Sequence, residues 1–322
     1  MTPELIVVVD TEEEFDWTAP VARENVATTS IPAQARAHEI YDRLGVVPTY
    51  VIDYPVATDP AAVAFLKGLR DAGKAEIGAH LHPWVTPPHD EEVTSFNSYH
   101  CNLPPALERA KIAALTDAIE RGFGARPTVF RAGRYGFGPH TARVLAELGY
   151  KVDCSFVPHS DFSADGGPSF IGKPDRPHWL DEGRGLLEIP LTVGFVGAAA
   201  GLGGRAGGLF GKPSAVKWKI PAMLARSRLL DRLRLSPEGV SADDQCRLIA
   251  AMAKRGHRLF GLTYHSPSLA LGHTPYVRSE ADRAAFLASI ETVLSFFRDR
   301  LGGRFTTATR VQADWSARRA AA

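Results

Sequence analysis

The sequence predicts an α/β fold built from parallel β/α units, a barrel or near-barrel, and three observations carry that prediction. Hydrophobic strand-like runs alternate with helix-like ones along most of the 322 residues, which is the pattern of parallel β/α units. Six or seven such units can be read, which points to a barrel or near-barrel. Charged or ligating side chains stand where strand-like runs end, and in α/β folds active sites gather at the carboxyl ends of parallel strands.

The elements follow in order. Leu5–Val9 is rich in β-branched residues and ends at the acids Asp10-Thr11-Glu12-Glu13-Glu14. Pro32–Leu44 reads as a helix stopped by Gly45, and Val46–Ile52 as a strand. Asp59 and Pro60 open a helix that ends near Gly73, with an N-cap followed by a proline in the first turn. Lys74–His80 is the next strand and runs into His80-Leu81-His82-Pro83-Trp84. Leu107–Arg121 is helical, Thr128–Arg131 a short strand, and Pro139–Leu148 a helix closed by Gly149. Tyr150–Ser155 and Leu186–Leu191 are strands. Ser241–Arg255 is a capped helix, Arg258–Tyr264 a strand, and Glu280–Arg300 a final helix.

One region breaks the rhythm. Gly194–Gly211 carries eight glycines and reads as a mobile loop. It is not a phosphate loop: the residue five before Gly211 is Ala206, and Lys212 precedes Pro213 rather than Ser or Thr. Beyond it Lys217, Lys219, Arg226, Arg228, Arg232 and Arg234 oppose only Asp231. That run reads as a solvated helix face, or as a surface for an anionic polymer or a membrane-linked substrate. The expected organisation is one domain over 1–322, with this loop and basic helix inserted at about 194–236.

Composition sets the outer bounds. The chain is 45% hydrophobic and 23% charged with a formal charge of +1, so no global field draws it to nucleic acid. Cys101, Cys154 and Cys246 form no CxxC pair and fit a reducing compartment. Met1 runs almost directly into the first strand without a basic leader or a cleavage site, and no apolar stretch reaches the ~20 residues of a membrane span. A cytoplasmic location is expected.

The chemistry concentrates at the strand ends. Asp10 and Glu12 are two apart, so on an extended backbone they face the same way. One can hold a metal while the other accepts a proton from water. His80 and His82 repeat that spacing and can converge on one ion. Carboxylate oxygen with imidazole suits Zn²⁺ or a similar divalent ion, with cobalt, nickel or iron as alternatives. His265, just past a strand in Tyr264-His265-Ser266-Pro267, has the chemistry of a general acid. Arg131 follows the same strand-then-charge pattern, and the Gly133-Arg134-Tyr135-Gly136 turn behind it can offer backbone N–H groups to an oxyanion. Asp153 is either a member of the site or a partner for an arginine.

The order of these segments resembles the polysaccharide deacetylase family, the NodB-homology carbohydrate esterases. The likeness rests on an acidic motif on the first strand, Gly-x-His on the third, Phe-Arg-x-x-x-Tyr-Gly midway, Asp-x-Ser next and Leu-x-x-His late. It spans Asp10 to His265, and the first motif is similar to the Asp-x-Glu branch. The resemblance implies a distorted (β/α)7 barrel that removes acetyl groups from an acetylated glycan. It further implies Asp10 as base, Glu12 and His80 as metal ligands, Arg131 as the residue orienting Asp10, the Tyr135 N–H as oxyanion donor and His265 as acid. Trp84 and Asp153 would correspond to substrate-binding walls. Two departures stand out. The family's second histidine lies four residues after the first, where this chain has Trp84, so either His82 replaces it or the ion has fewer protein ligands. Glu13 also competes with Glu12 as ligand. Two other activities fit the same residues: a C–N hydrolase acting on a small amide, and a degenerate homologue that binds glycan without turnover.

Overall fold

In the computed structural model, which describes residues 2–181, 183, 185–203, 210 and 218–321, the strand-ending motifs meet at one end of a curled parallel sheet. The strands are β1 (Glu4–Thr11), β2 (Thr49–Ile52), β3 (Glu76–Leu81), β4 (Val129–Ala132), β5 (Val152–Asp153), β6 (His178–Asp181), β7 (Leu186–Glu188), β8 (Val193–Val196), β9 (Asp231–Arg234), β10 (Leu259–His265) and β11 (Arg304–Phe305). The helices are α1 (Ala35–Leu44), α2 (Tyr54–Thr58), α3 (Pro60–Asp71), α4 (Pro105–Phe123), α5 (Thr141–Glu147), α6 (Ile220–Arg226), α7 (Ala242–Lys254), α8 (Glu280–Leu301) and α9 (Ala308–Ala320).

The sheet runs β10-β1-β2-β3-β4-β5-β7-β6, parallel throughout except for the antiparallel β6 at its edge. This is the (β/α)7 arrangement. On its free side β10 meets the flanks of the β8–β9 hairpin: Gly261 N donates to Thr192 Oγ1 at 2.8 Å and Thr263 N to the Leu235 carbonyl at 3.2 Å.

Alternation along β1 sorts the core into two layers. Leu5, Val7 and Val9 pack outward with Tyr50, Ile52 and Phe130 against helix residues such as Tyr41, Leu115 and Phe297. Ile6 and Val8 point into the barrel with Val51, Val129, Val152 and Leu187, and Ala308 and Val311 of α9 close that interior at the bottom. Space there is tight. A Cβ on Gly78 would stand 2.8 Å from the Val129 carbonyl oxygen and 2.9 Å from Val51 Cγ1. The expected caps are in place: Asp59 accepts from Ala62 N ahead of α3, and Ser241 from Asp244 N ahead of α7.

The basic run departs from expectation. It is not one helix face, because α6 ends at Arg226 while Arg232 and Arg234 lie in β9, flanking the buried Leu233 with a period of two. Gly194 likewise sits in β8. Gly197, Gly201 and Gly203 follow it around a short 3-10 turn at Ala200–Leu202, whereas the part of the run at 204–209 and 211, together with Lys212 and Lys217, lies outside the described residues. Helix α9 was not expected either; Ala308 and Val311 are its buried residues, and Trp315 packs beside them. Among the described residues no helix is long and apolar enough to cross a membrane.

Candidate metal centre and active site

Register assembles the site. Thr11, Ile52, Ala79, Phe130 and Asp153 are successive partners across β1–β5, forming one row. Ile52, Ala79 and Phe130 in that row face the helices. The rows on either side therefore turn inward, continuing the column of Ile6 and Val8 with Asp10 and Glu12. Asp10 pairs in register with His265, and His80 with Arg131.

Glu12, His80 and His82 form a candidate metal-binding triad, all buried. Glu12 Oε2 lies 3.5 Å from His82 Nε2 and 3.7 Å from His80 Nε2. Glu12 Oε1 and His80 Nδ1 have no hydrogen-bond partner among the described residues. Burial, reinforced by the charges of Glu13 and Asp10, pushes the Glu12 carboxyl well above its ordinary range. A bound dication would remove that penalty. Burial also drives His80 far below its usual value and His82 down to about 4, leaving neutral imidazoles with lone pairs to donate. Buried acid, neutral imidazoles and an orphaned oxygen fit a divalent ion.

The three consecutive glutamates part company. Glu12 belongs to the triad. Glu13 takes the opposite side of the His82 ring, with Oε2 2.7 Å from Nδ1, and its Oε1 accepts from Trp84 Nε1 at 2.8 Å. Glu14 turns away and accepts from Thr29 Oγ1 at 2.8 Å and Ser30 N at 2.6 Å. Trp84, in the position of the missing histidine, stacks on His82 with ring centroids 4.2 Å apart.

Across the interior, Arg131 Nη1 donates to Asp10 Oδ1 at 2.5 Å and to Thr263 Oγ1 at 2.6 Å, and Nε donates to the Cys154 carbonyl at 2.9 Å. Burial acts to raise Asp10, but Arg131, His80 and His265 outweigh it and hold the carboxyl below its ordinary value. Asp10 is therefore an ionised acceptor. His265 Nε2 stands 3.7 Å from Asp10 Oδ2, and its Nδ1 is 2.8 Å from Glu238 Oε2. Glu238 also accepts from the His265 N–H at 2.9 Å and from Ser268 Oγ at 2.7 Å. Burial works against charge on His265, yet Glu238 prevails and the imidazole is raised above its usual value. Trp17 packs edge-on against His265 with centroids 4.8 Å apart.

The turn behind Arg131 is held in an uncommon shape. Arg134 and Tyr135 have φ of 50° and 59°, a left-handed conformation that side-chain contacts must secure. The Arg134 guanidinium lies over the Tyr99 ring at 4.3 Å and donates to Ser98 and Asp165. Gly133 must lack a side chain, since a Cβ there would fall 2.3 Å from the Leu81 carbonyl oxygen. Arg134 and Tyr135 border a cavity of about 380 Å³ that Asp10, Glu12, His80, His82 and His265 also line, with Phe15, Trp17 and Trp84 among its aromatic residues. That volume is within the ~300–1,000 Å³ of small-molecule sites.

Asp153 is the exception among the expected residues. It shares the outward row with Phe130 and is fully buried, accepting from Ser155 Oγ at 2.6 Å beside its register partner Glu188. It does not line the cavity, because pleat parity turns it away. Glu13, Trp17 and Glu238 were not singled out for the roles they take. Aromatics directly behind the acids signalled Trp17, whereas Glu238, in a loop between β9 and α7, carried no spacing signal.

No protein-family model matches the chain, and no curated protein matches it. Solved structures do. The chain is similar to a protein assigned as a polysaccharide deacetylase from Mycobacterium smegmatis, at 17% identity and TM-score 0.54 over 99% of this chain and 91% of that one. The Puue allantoinase gives 15% identity and TM-score 0.56 over 98% and 90%. A probable polysaccharide deacetylase from Pseudomonas aeruginosa PAO1 gives 14% and 0.53 over 97% and 90%. At such identities the likeness is one of fold. The chain has the fold shared by polysaccharide deacetylases and an allantoinase.

Proposed function

We propose that the protein is a metal-dependent hydrolase of the polysaccharide deacetylase type, cleaving the N-acetyl or O-acetyl group of a polysaccharide or of its oligosaccharide or lipid-linked precursor. The observation behind this reading is the convergence on one cavity of the Glu12–His80–His82 triad, the Asp10–Arg131 pair and the His265–Glu238 pair.

Glu12, His80 and His82 would hold the ion, zinc by the donor set, with cobalt, nickel or iron as alternatives. When bound, such an ion supplies Lewis acidity at the acetyl carbonyl and makes water more acidic. Asp10, kept ionised by Arg131, takes the proton from the attacking water. The Tyr135 backbone N–H meets the developing oxyanion. His265, aligned by Glu238, gives a proton to the departing sugar nitrogen or oxygen, and acetate leaves. Trp17 presents a flat ring to the sugar, while Trp84 backs His82.

Acetate release from a panel of acetylated sugars and oligosaccharides tests the reading. Turnover that chelation abolishes and added metal restores is expected; no acetate from metal-loaded protein on any of them would overturn it. The likeness to an allantoinase favours a second reading, hydrolysis of a small amide by the same groups. Small linear and cyclic amides in the same panel separate the two.

A further inference from the structure

We propose that Glu13 is a positioning residue that sets the tautomer and orientation of His82, and that Trp84 is its partner rather than the relic of a lost ligand. The inference rests on reading Glu12, His80 and His82 as the metal-binding triad, and it concerns how this chain keeps a second histidine without the usual spacing.

Glu13 is completely buried: its Oε1 accepts from Trp84 Nε1 at 2.8 Å, its Oε2 lies 2.7 Å from His82 Nδ1, and its carboxyl also shares a hydrogen bond with the Asp53 side chain. Its own backbone N–H donates to Asp53 Oδ2 at 2.6 Å, while Asp53 Oδ1 accepts from Val56 N at 2.9 Å and caps α2. Glu13 is thus anchored to a helix start as well as to β1. With Glu13 as a carboxylate, which only accepts, the hydrogen of the neutral His82 ring belongs on Nδ1. Nε2 is then the bare nitrogen, and it is the atom 3.5 Å from Glu12 Oε2. Trp84 fixes the plane of the ring from one side, stacked at an interplanar angle of 24°. Metal-binding histidines commonly give their second N–H to a carboxylate, which fixes orientation and raises basicity.

This geometry accounts for the two departures together. A histidine two residues after His80 leaves the strand at a different place from one four residues after it. The third acid and the tryptophan hold it there. Glu13, Asp53 and His82 also approach closely enough to be considered as a second ion site. The 2.7 Å contact between His82 Nδ1 and Glu13 is a hydrogen-bond length, which leaves no room for an ion between them.

Two readouts on the full-length protein test the assignment. Nitrogen-15 spectra of metal-free wild type should show His82 as the Nδ1–H tautomer. In Glu13→Gln, a single acceptor oxygen faces two donors, and a tautomer mixture is expected. Calorimetric titration with Zn²⁺ or Co²⁺ should give one ion per wild-type chain, with affinity about 10–100-fold weaker in Glu13→Gln at unchanged stoichiometry. Trp84→Phe keeps a stacking ring but loses the N–H, and should weaken binding less. An Nε2–H tautomer in wild type, or unchanged tautomer and affinity in Glu13→Gln, overturns the proposal. So do two ions per wild-type chain with one lost in Glu13→Gln, which would make Glu13 a ligand. If wild type binds no ion, the triad reading fails, and the tautomer still decides the role of Glu13.

Discussion

Two groups of buried carboxylates stand at nearly the same height on one sheet, and their surroundings separate them. Asp10 and Glu12 face the barrel interior, where His80, His82, Arg131 and His265 converge. Asp153 and Glu188 are register partners on β5 and β7, facing outward, with Ser155 and the Phe156 N–H as their hydrogen-bond donors. Burial raises Glu12, Asp153 and Glu188 alike. Only Asp10 is held low, by a guanidinium at hydrogen-bond distance. Identical chemistry at one depth thus gives a candidate metal site on one face and a proton-holding pair on the other. Pleat parity decides which.

The largest effect should come from the reactive group. His265→Ala removes the proposed general acid and should lower turnover by roughly 10²–10⁴ with metal content retained. Full activity in that variant would end its assignment as the acid.

The next effect lies lower in the same column, where Ile6 replaces charge with packing. Ile6→Ala opens a cavity beneath the site and should cost about 2–5 kcal/mol of stability. Metal content should not change, since no ligand touches Ile6. Denaturant unfolding beside metal analysis checks both; loss of metal from folded Ile6→Ala protein would mean that the two halves of the barrel are coupled.

A subtler test uses pH. His265 is raised above its ordinary value of about 6.5, and the acid must carry its proton to act. Activity should therefore fall as pH rises through a value above about 6.5. Glu238→Gln removes the raising charge while burial remains, so the basic limb should move to lower pH and turnover should drop about tenfold. A basic limb that stays in place would detach Glu238 from the acid.

Much of this was legible in the sequence because strand periodicity is short-ranged. Asp10 with Glu12 and His80 with His82 share faces by a rule spanning two residues, and the strand before each pair marks the sheet end. The helix caps at Asp59 and Ser241 are equally local. What stayed hidden depends on long-range register. Val152 and Asp153 take opposite faces by the pleat alone, but which of them faces the interior depends on how β5 pairs with β4, so Asp153 could not be sorted from sequence. Glu13 and Glu12 are adjacent acids, and only the approach of His82 and Trp84 distinguishes them. The basic run failed for a related reason: Arg-Leu-Arg at 232–234 is equally at home on a helix surface or an edge strand.

The smallest expected effect isolates the outward pair. Burial and the charge of Asp153 raise Glu188 well above its ordinary range, and burial raises Asp153. Both groups bind protons more tightly folded than unfolded, so stability is greatest below the unfolded values of about 4 and declines as pH climbs toward the raised ones. In Glu188→Gln the amide can donate to Asp153 while its oxygen still accepts from Phe156 N, and one buried charge is gone. The variant should match wild type near pH 4 and exceed it by about 1 kcal/mol at pH 8. Denaturant midpoints at the two pH values read the difference directly. Parallel curves would mean that the pair is solvated or cation-bound in solution, and the contrast between the two faces would lose its electrostatic basis.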